Sequence, residues 1–142
     1  CDRLRARRSD IVFGADFIAG FPTETDEMFE ATLDHVRACG LTYLHVFPFS
    51  ARERTPAARM PQLSGKIVKA RAAQLRVLGA DAVTQHLAAL KGVDVDVLVE
   101  KHDIARSPTF APVKLSRPFA GGSLVRVRVV DADARFAYAE AA

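Results

Sequence analysis

The first half of the chain alternates apolar runs with amphipathic stretches in the order strand, helix, strand. Residues 11–19 are almost continuously apolar and rich in β-branched and aromatic side chains, which is typical of a parallel strand buried on both faces. Residues 26–38 repeat apolar side chains at helical spacing behind two possible N-caps, Thr23 and Thr25. A second apolar strand over 42–47 completes the pattern, which predicts one right-handed βαβ unit.

The second half begins with a long helix and then changes to a period of two. A polar loop over 48–61 precedes the helix, which is predicted to begin at Ser64 or Gly65 and to end near Leu90, before Gly92. Short alternating strands follow, and their regular spacing favours a small antiparallel barrel or sandwich. These strands are predicted over 93–99, 110–115, 124–130 and 135–139.

The predicted parallel sheet has too few strands to stand alone. Two parallel strands need neighbours at their sheet edge, and the chain supplies none upstream. The first residue is Cys1 and not a methionine. We therefore expect the chain to be the back end of a larger enzyme, with residues 1–90 in an α/β domain and residues 91–142 in an all-β domain.

Composition and charge add only weak limits. The 142 residues are 49% hydrophobic and 26% charged, which is a globular composition. The net charge of +3 permits a polyanionic partner without requiring one. No apolar run reaches the roughly 20 residues of a membrane span and no signal peptide is visible, so we expect no membrane partner and a cytoplasmic location. Cys1 and Cys39 lack metal-binding spacing and are expected to be free thiols.

Three stretches carry a family resemblance: GADFIAGFPTET from Gly14, YLHVFPFS from Tyr43 and TPAARM from Thr55. In this order and spacing the chain resembles the radical SAM methylthiotransferases, and most closely the branch that modifies threonylcarbamoyladenosine in tRNA. The resemblance covers essentially the whole chain. It implies an α/β fold in which residues 1–90 are the C-terminal part of a radical SAM, partial TIM-type barrel, and residues 91–142 are a TRAM-like RNA-binding β-barrel.

The sequence departs from the family pattern in two kinds of position. The family's C-x-x-x-C-x-x-C, and the three cysteines of its N-terminal domain, are not in this sequence. Cluster ligation needs thiolates converging on the irons, so we assign no metal ligand and no catalytic residue here. The usual glycine after Phe-Pro is Thr23, and the usual Arg-Pro-Gly-Thr reads Arg52-Glu-Arg-Thr55, which is expected to alter that turn.

The cofactor-binding candidates lie where the two predicted parallel strands end, which is where α/β proteins gather ligands. Gly20 either lets a ligand approach the backbone or only shapes a tight turn. Glu24 either accepts hydrogen bonds from a ribose or is a helix N-terminal acid favoured by the dipole. By resemblance, the candidates for S-adenosylmethionine (SAM) are Ile18, Gly20, Pro22, Glu24, His45, Phe47 and Pro48.

Two polar residues interrupt the predicted strands. A buried carboxylate needs a partner, so Asp16 is expected to meet a ligand, the cluster surroundings or a basic residue from outside this chain. His45 is either a core histidine with satisfied hydrogen bonds or a ligand contact. The sequence leaves both choices open.

The basic residues suggest an RNA-binding surface. Between residues 52 and 76 seven Lys or Arg residues accompany a single acid, Glu53, which fits either a phosphate-binding footprint or a solvated helix face. From residue 91 onward the balance is nearly even, so any RNA contact there depends on placement. Phe110 and Phe119 either stack on bases or belong to the core. The candidates for RNA binding are Arg52, Arg54, Arg59, Lys66, Lys69, Lys114, Arg126 and Arg128.

The resemblance implies a tRNA methylthiotransferase that uses SAM and [4Fe–4S] clusters to add a methylthio group at C2 of N6-threonylcarbamoyladenosine 37. The missing N-terminal portion would supply the cluster ligands, and the isolated chain is expected to be inactive. One alternative is a methylthiotransferase for isopentenyl-adenosine tRNA or for a ribosomal-protein aspartate. Another is a non-catalytic RNA-binding module from a truncated gene.

Overall fold

The computed structural model describes residues 1–141, which divide into two compact units. The first contains Cys1 and Val12–Ala82, and the second contains Asp2–Ile11 and the chain from Val83 onward. The elements are α1 (Asp2–Arg5), β1 (Phe13–Ala19), α2 (Asp26–Cys39), β2 (Leu41–Pro48), a 3₁₀ turn (Pro56–Arg59), α3 (Gly65–Ala89), β3 (Asp94–Lys101), β4 (Ile104–Arg106), β5 (Pro112–Leu115), β6 (Leu124–Ala132) and β7 (Ala137–Ala141).

The first unit is built on the predicted βαβ pattern. Strands β1 and β2 are parallel neighbours, with Asp16 opposite His45 and Ile18 opposite Phe47. Thr25 caps α2 by accepting a hydrogen bond from the Met28 amide. One sheet face packs with α2 and α3 around a core whose buried members are Ala19, Phe29, Leu33, Val36, Ala72 and Leu75.

The prediction that β1 is buried on both faces is wrong. Exposure alternates along the strand, and Asp16 and Ile18 lie on its open side. His45 and Phe47 on β2 share that open side, because paired residues of neighbouring strands point to the same face. Within the first unit no element covers this face, so Asp16 and His45 are exposed groups and not buried ones.

The second unit is a closed five-stranded barrel in the order β3-β4-β5-β7-β6. The predicted small barrel is thereby confirmed, although β5 and β7 pair in parallel and the prediction was antiparallel throughout. Strand β4 has only three residues and was not predicted. Valines from alternating positions of β3, β5 and β6 fill the core, together with Leu87 from the last turns of α3.

Candidate functional site

Two apolar side chains lie exposed where the parallel strands end. Ile18 is 58% exposed and Phe47 is 53% exposed, at paired positions one residue before the ends of β1 and β2. They line an open cleft of about 410 Å³ together with Pro48, Arg52 and Thr55. We call this the strand-end cleft. An apolar floor with a few polar groups at its rim suits a flat aromatic ligand such as a purine.

A second cleft of about 330 Å³ lies against the start of α3. Gly20, Pro48, Val68 and Lys69 are among the residues that line it. We call this the helix-side cleft. Pro48 borders both clefts, so the candidates Ile18, Gly20, Phe47 and Pro48 lie together on this edge of the sheet.

The other cofactor candidates, Pro22, Glu24 and His45, do not line either cleft. Pro22 is fully buried. The Glu24 side chain is only 14% exposed, and its Oε2 accepts the Gly20 N–H at 2.9 Å. His45 is exposed on the open sheet face, two residues before Phe47. The roles of these three residues in SAM binding remain predictions.

Arg71 is the residue in this region that sequence reasoning misread. It belonged to the basic stretch assigned to a phosphate footprint, but it is only 5% exposed. Its Nη1 donates to the Glu24 carboxylate at 2.7 Å, and its Nη2 donates to Asp26 Oδ1 at 2.6 Å. Burial acts to lower the pKa of Arg71, yet these two carboxylates hold that pKa above its ordinary value. Arg71 is therefore an internal ion-pair partner and not a phosphate contact.

The two departures from the family's glycine pattern keep a glycine-like backbone. Thr23 has φ +74° and Arg54 has φ +66°, both in the left-handed region that favours glycine. Thr55 stabilises the second turn, because its Oγ1 donates to the Arg52 carbonyl at 2.8 Å and accepts from the Ala58 amide. The segment Arg52–Thr55 therefore forms a hydrogen-bonded turn without Pro or Gly, and Arg54 inside it has a strained backbone.

The basic loop and the start of α3 present cations without acid partners. Within the described chain no ion pair or side-chain hydrogen bond involves their charged groups, and all of them are exposed. We call them the loop cations: Arg52, Arg54, Arg59, Lys66 and Lys69. Arg52 also lines the strand-end cleft and Lys69 the helix-side cleft, so positive charge borders both clefts.

The candidate RNA-binding residues of the barrel are placed differently, because each has an acidic partner. Arg126 donates to Asp96 at 2.9 Å and Arg128 donates to Asp94 at 3.1 Å, across the β3–β6 pairing. Lys114 lies 2.6 Å from Asp103. We call Lys114, Arg126 and Arg128 the barrel cations. Phe110 is exposed, whereas Phe119 is half-buried against the barrel core.

The described residues contain no set of three or more His, Cys, Asp or Glu side chains able to hold a metal ion. Cys1 and Cys39 form no disulfide, and the Cys39 sulfur lies 3.5 Å from His35 Nε2. Two separated thiols do not match the three or four thiolates of an iron–sulfur cluster. Among residues 1–141 no helix is long and apolar enough to cross a bilayer.

Comparison with known proteins gives a consistent result. The chain is 47% identical over 130 residues to a threonylcarbamoyladenosine tRNA methylthiotransferase from Rickettsia prowazekii, covering 92% of this chain and 31% of that protein. It is 40% identical over 135 residues to a tRNA-2-methylthio-N(6)-dimethylallyladenosine synthase from Cereibacter sphaeroides, covering 90% of the chain and 31% of that protein. A synthase of the same name from Bartonella tribocorum is 36% identical over 138 residues, with 92% and 30% covered. No protein-family model matches the sequence.

The family of this chain follows from sequence matches that cover at least 90% of its length, and its fold is a mixed α/β unit followed by a five-stranded barrel. The chain belongs to the methylthiotransferase family and corresponds to the C-terminal region of its tRNA-modifying members, which confirms the family resemblance. It spans less than a third of the length of the curated relatives it matches.

Proposed function

We propose that this chain is the C-terminal part of a tRNA methylthiotransferase that modifies C2 of N6-threonylcarbamoyladenosine 37. In this proposal residues 1–90 complete a radical SAM barrel and residues 91–142 act as a TRAM-like, RNA-holding barrel. The whole enzyme is expected in the cytoplasm. The Rickettsia relative is 47% identical over 130 residues, whereas two Cereibacter sphaeroides synthases are 45% identical over 100 residues and 40% identical over 135 residues. The longer match at slightly higher identity supports the threonylcarbamoyl branch.

The single observation that carries the proposal is the exposed pair Ile18 and Phe47 at the ends of two parallel strands. An open apolar face on a parallel sheet is expected where further strands or a ligand cover it. Ligands of α/β proteins lie at this end of the strands. Ile18, Phe47 and Pro48 would therefore contact the adenosyl part of SAM, and the open face with Asp16 and His45 would point into the barrel of the whole enzyme.

The residues present fit one cofactor and not the other. The apolar strand-end cleft suits the adenosyl group of SAM, which supplies radical chemistry once a reduced cluster cleaves it. The two cysteines do not suit a [4Fe–4S] cluster, so its ligands are expected from the missing N-terminal portion of the enzyme. The role of this chain is then to bind and orient, and not to transfer protons or electrons.

The loop cations favour tRNA as the macromolecular partner. Exposed Lys and Arg without acid partners neutralise phosphates most readily, because no internal ion pair competes. Arg52 lines the strand-end cleft and Lys69 lines the helix-side cleft, so these two cations would bring an RNA backbone close to the SAM site.

The test uses the complete enzyme that carries this chain, reconstituted with iron and sulfide and supplied with SAM and a reductant. Two tRNAs are compared, one with threonylcarbamoyladenosine and one with isopentenyl-adenosine. We expect mass spectrometry of the digested nucleosides to show a methylthio group in place of hydrogen in the first tRNA only. Modification of the second tRNA alone would contradict the proposed branch, and activity of the 142-residue chain by itself would contradict its role as a part.

A further inference from the structure

The loop that follows β1 has a backbone that needs support. Gly20 and Thr23 both have left-handed φ values, +78° and +74°. A Cβ on Gly20 would lie 2.7 Å from Cγ2 of Val68, so α3 fills the space that the missing side chain leaves. The glycine is thus required by the fold itself, whether or not a ligand approaches. The loop residues 20–24 reach their shape through contacts with α3.

Arg71 makes the polar part of those contacts. Its Nη1 donates both to the Glu24 carbonyl at 2.9 Å and to Glu24 Oε2 at 2.7 Å. The same Oε2 accepts the Gly20 N–H at 2.9 Å, so one carboxylate oxygen joins the arginine to the first residue of the loop. The guanidinium also lies 5.4 Å from the ring centroid of Phe29, and its Nη2 is held by Asp26.

This network ends at Gly20, in the wall of the helix-side cleft, and Arg71 does not reach that wall. Gly20 lines the helix-side cleft and follows Ile18 by two residues, whereas Arg71 lines neither cleft described above. A change at Arg71 can therefore affect a bound ligand only indirectly, and its hydrogen bonds to Glu24 provide the connection to Gly20. A lysine at this position would keep the charge but lose the two-pronged geometry that joins Glu24 to Asp26.

We propose that Arg71 is a positioning residue that, through Glu24 and Gly20, pre-forms the loop that follows Ile18 at the helix-side edge of the SAM site. The proposal rests on the proposed function, since it assigns that site to an adenosyl ligand. A wall that is formed before binding lowers the ordering cost of the ligand complex. Because the wall is the same before and during the reaction, its loss weakens ground-state and transition-state binding equally.

The test compares Arg71→Lys with Leu75→Val in the complete enzyme. Leu75 is a buried core residue one turn further along α3, so its variant matches the loss of packing without touching the loop. We expect R71K to raise the KM for SAM by about tenfold with kcat nearly unchanged, since uniform binding is lost. L75V should leave KM unchanged. Asp26→Asn, at a side chain that is 92% exposed, is expected to give a smaller rise of the same kind.

A second readout is amide exchange at Gly20 in the complete enzyme. R71K should accelerate it by about tenfold and L75V should not, because local opening of the loop is what Arg71 prevents. An unchanged KM in R71K, or equal KM increases in R71K and L75V, would overturn the role of Arg71 alone. A wild-type enzyme with no affinity for SAM would instead overturn the proposed function.

Discussion

The two units of the molecule treat their positive charges differently. The first unit buries one arginine against two carboxylates and leaves the loop cations exposed without acid partners. The barrel has exposed cations as well, but it places an acid opposite Lys114, Arg126 and Arg128. Arg71 is a structural charge, the loop cations are available charges, and the barrel cations are occupied ones.

This difference teaches that a count of basic residues does not locate a phosphate-binding surface. The stretch from residue 52 to 76 has seven Lys or Arg residues, yet one of them, Arg71, is buried. In the barrel the basic and acidic residues nearly balance, and the three candidate cations lie beside acids. An acid 2.6–3.1 Å away competes with a phosphate for the same cation. An exposed pair of this kind is worth about 0–1 kcal/mol in stability. A phosphate can therefore displace the acid from such a pair, but the displacement lowers the affinity of the cation for the phosphate.

The largest expected effect on stability distinguishes the buried ion pair of Arg71 from the exposed ion pair of Arg128. Arg71→Met leaves the Glu24 carboxylate, 14% exposed, without its cation and should lower the free energy of unfolding by about 3–5 kcal/mol. Arg128→Gln breaks an exposed pair and should cost about 1 kcal/mol or less. Urea unfolding of the chain, followed by probes in each unit, measures both. Equal losses of unfolding free energy in the two variants would mean that the buried pair of Arg71 contributes no more than the exposed pair of Arg128.

The next effect concerns tRNA binding. Replacing Arg52, Arg54 and Arg59 by Gln should weaken tRNA binding and reduce the slope of log K against log salt by up to about 3, since each lost phosphate contact removes roughly 0.9. The matched control replaces Lys114, Arg126 and Arg128 by Gln and removes the same charge. It should change the slope less, because those cations already have acidic partners.

Filter binding at several salt concentrations gives both slopes. A larger change from the barrel variant would reverse the comparison and place the RNA grip on the barrel. A slope of zero for the unmodified chain would argue against phosphate contacts altogether.

Much of the fold was accessible from the sequence because its signals are local. The bounds of α2, β2 and α3 were predicted to within about two residues from apolar spacing and caps. Strand β4 was missed because three residues cannot display an alternation. The open face of β1 was missed because a continuous apolar run looks the same whether a second layer covers it or not.

The site was less accessible because its decisive contacts are distant in sequence. Arg71 and Glu24 are 47 residues apart, and nothing in the run of basic residues marks Arg71 as the buried one. The barrel pairs did leave a signal. Acids alternate with apolar residues in β3 as Arg126 and Arg128 do in β6, and two adjacent strands with opposite charges at period two predict cross-strand pairing.

Thr23→Gly tests whether the loop held by Arg71 is strained. Thr23 has φ +74°, so glycine should relieve strain and stabilise the chain by about 1 kcal/mol. Thr32→Gly is the matched control, since the same exchange inside α2 should destabilise it slightly. Thermal unfolding measures both changes. Destabilisation by Thr23→Gly would show that the threonine has a favourable contact that outweighs its backbone.

Removing the acids that pair with Arg126 and Arg128 should make these two cations available to RNA phosphates, as the loop cations are. Asp94→Asn with Asp96→Asn frees Arg128 and Arg126, so tRNA affinity should rise roughly twofold to fivefold, on the scale of surface-charge effects. The same acids removed from an Arg126→Gln, Arg128→Gln background should give a smaller gain. If affinity does not rise, the acids do not limit RNA binding by the barrel.

The smallest effect is a titration at Asp103. The hydrogen bond from Lys114 is the main cause that lowers the pKa of Asp103 below its ordinary value, and desolvation opposes it. A carboxyl with a lowered native pKa stabilises the fold above its unfolded pKa, and this contribution is lost as pH falls through the native value. Lys114→Gln should raise the Asp103 midpoint, measured by NMR of its carboxyl carbon. Asp133 is the internal control. The backbone amides of Arg135 and Phe136 are the main causes that lower its pKa, so its titration midpoint should not change in the Lys114→Gln variant. A fixed Asp103 midpoint would show that the Lys114 pair does not form in solution, and Lys114 would then belong with the available charges.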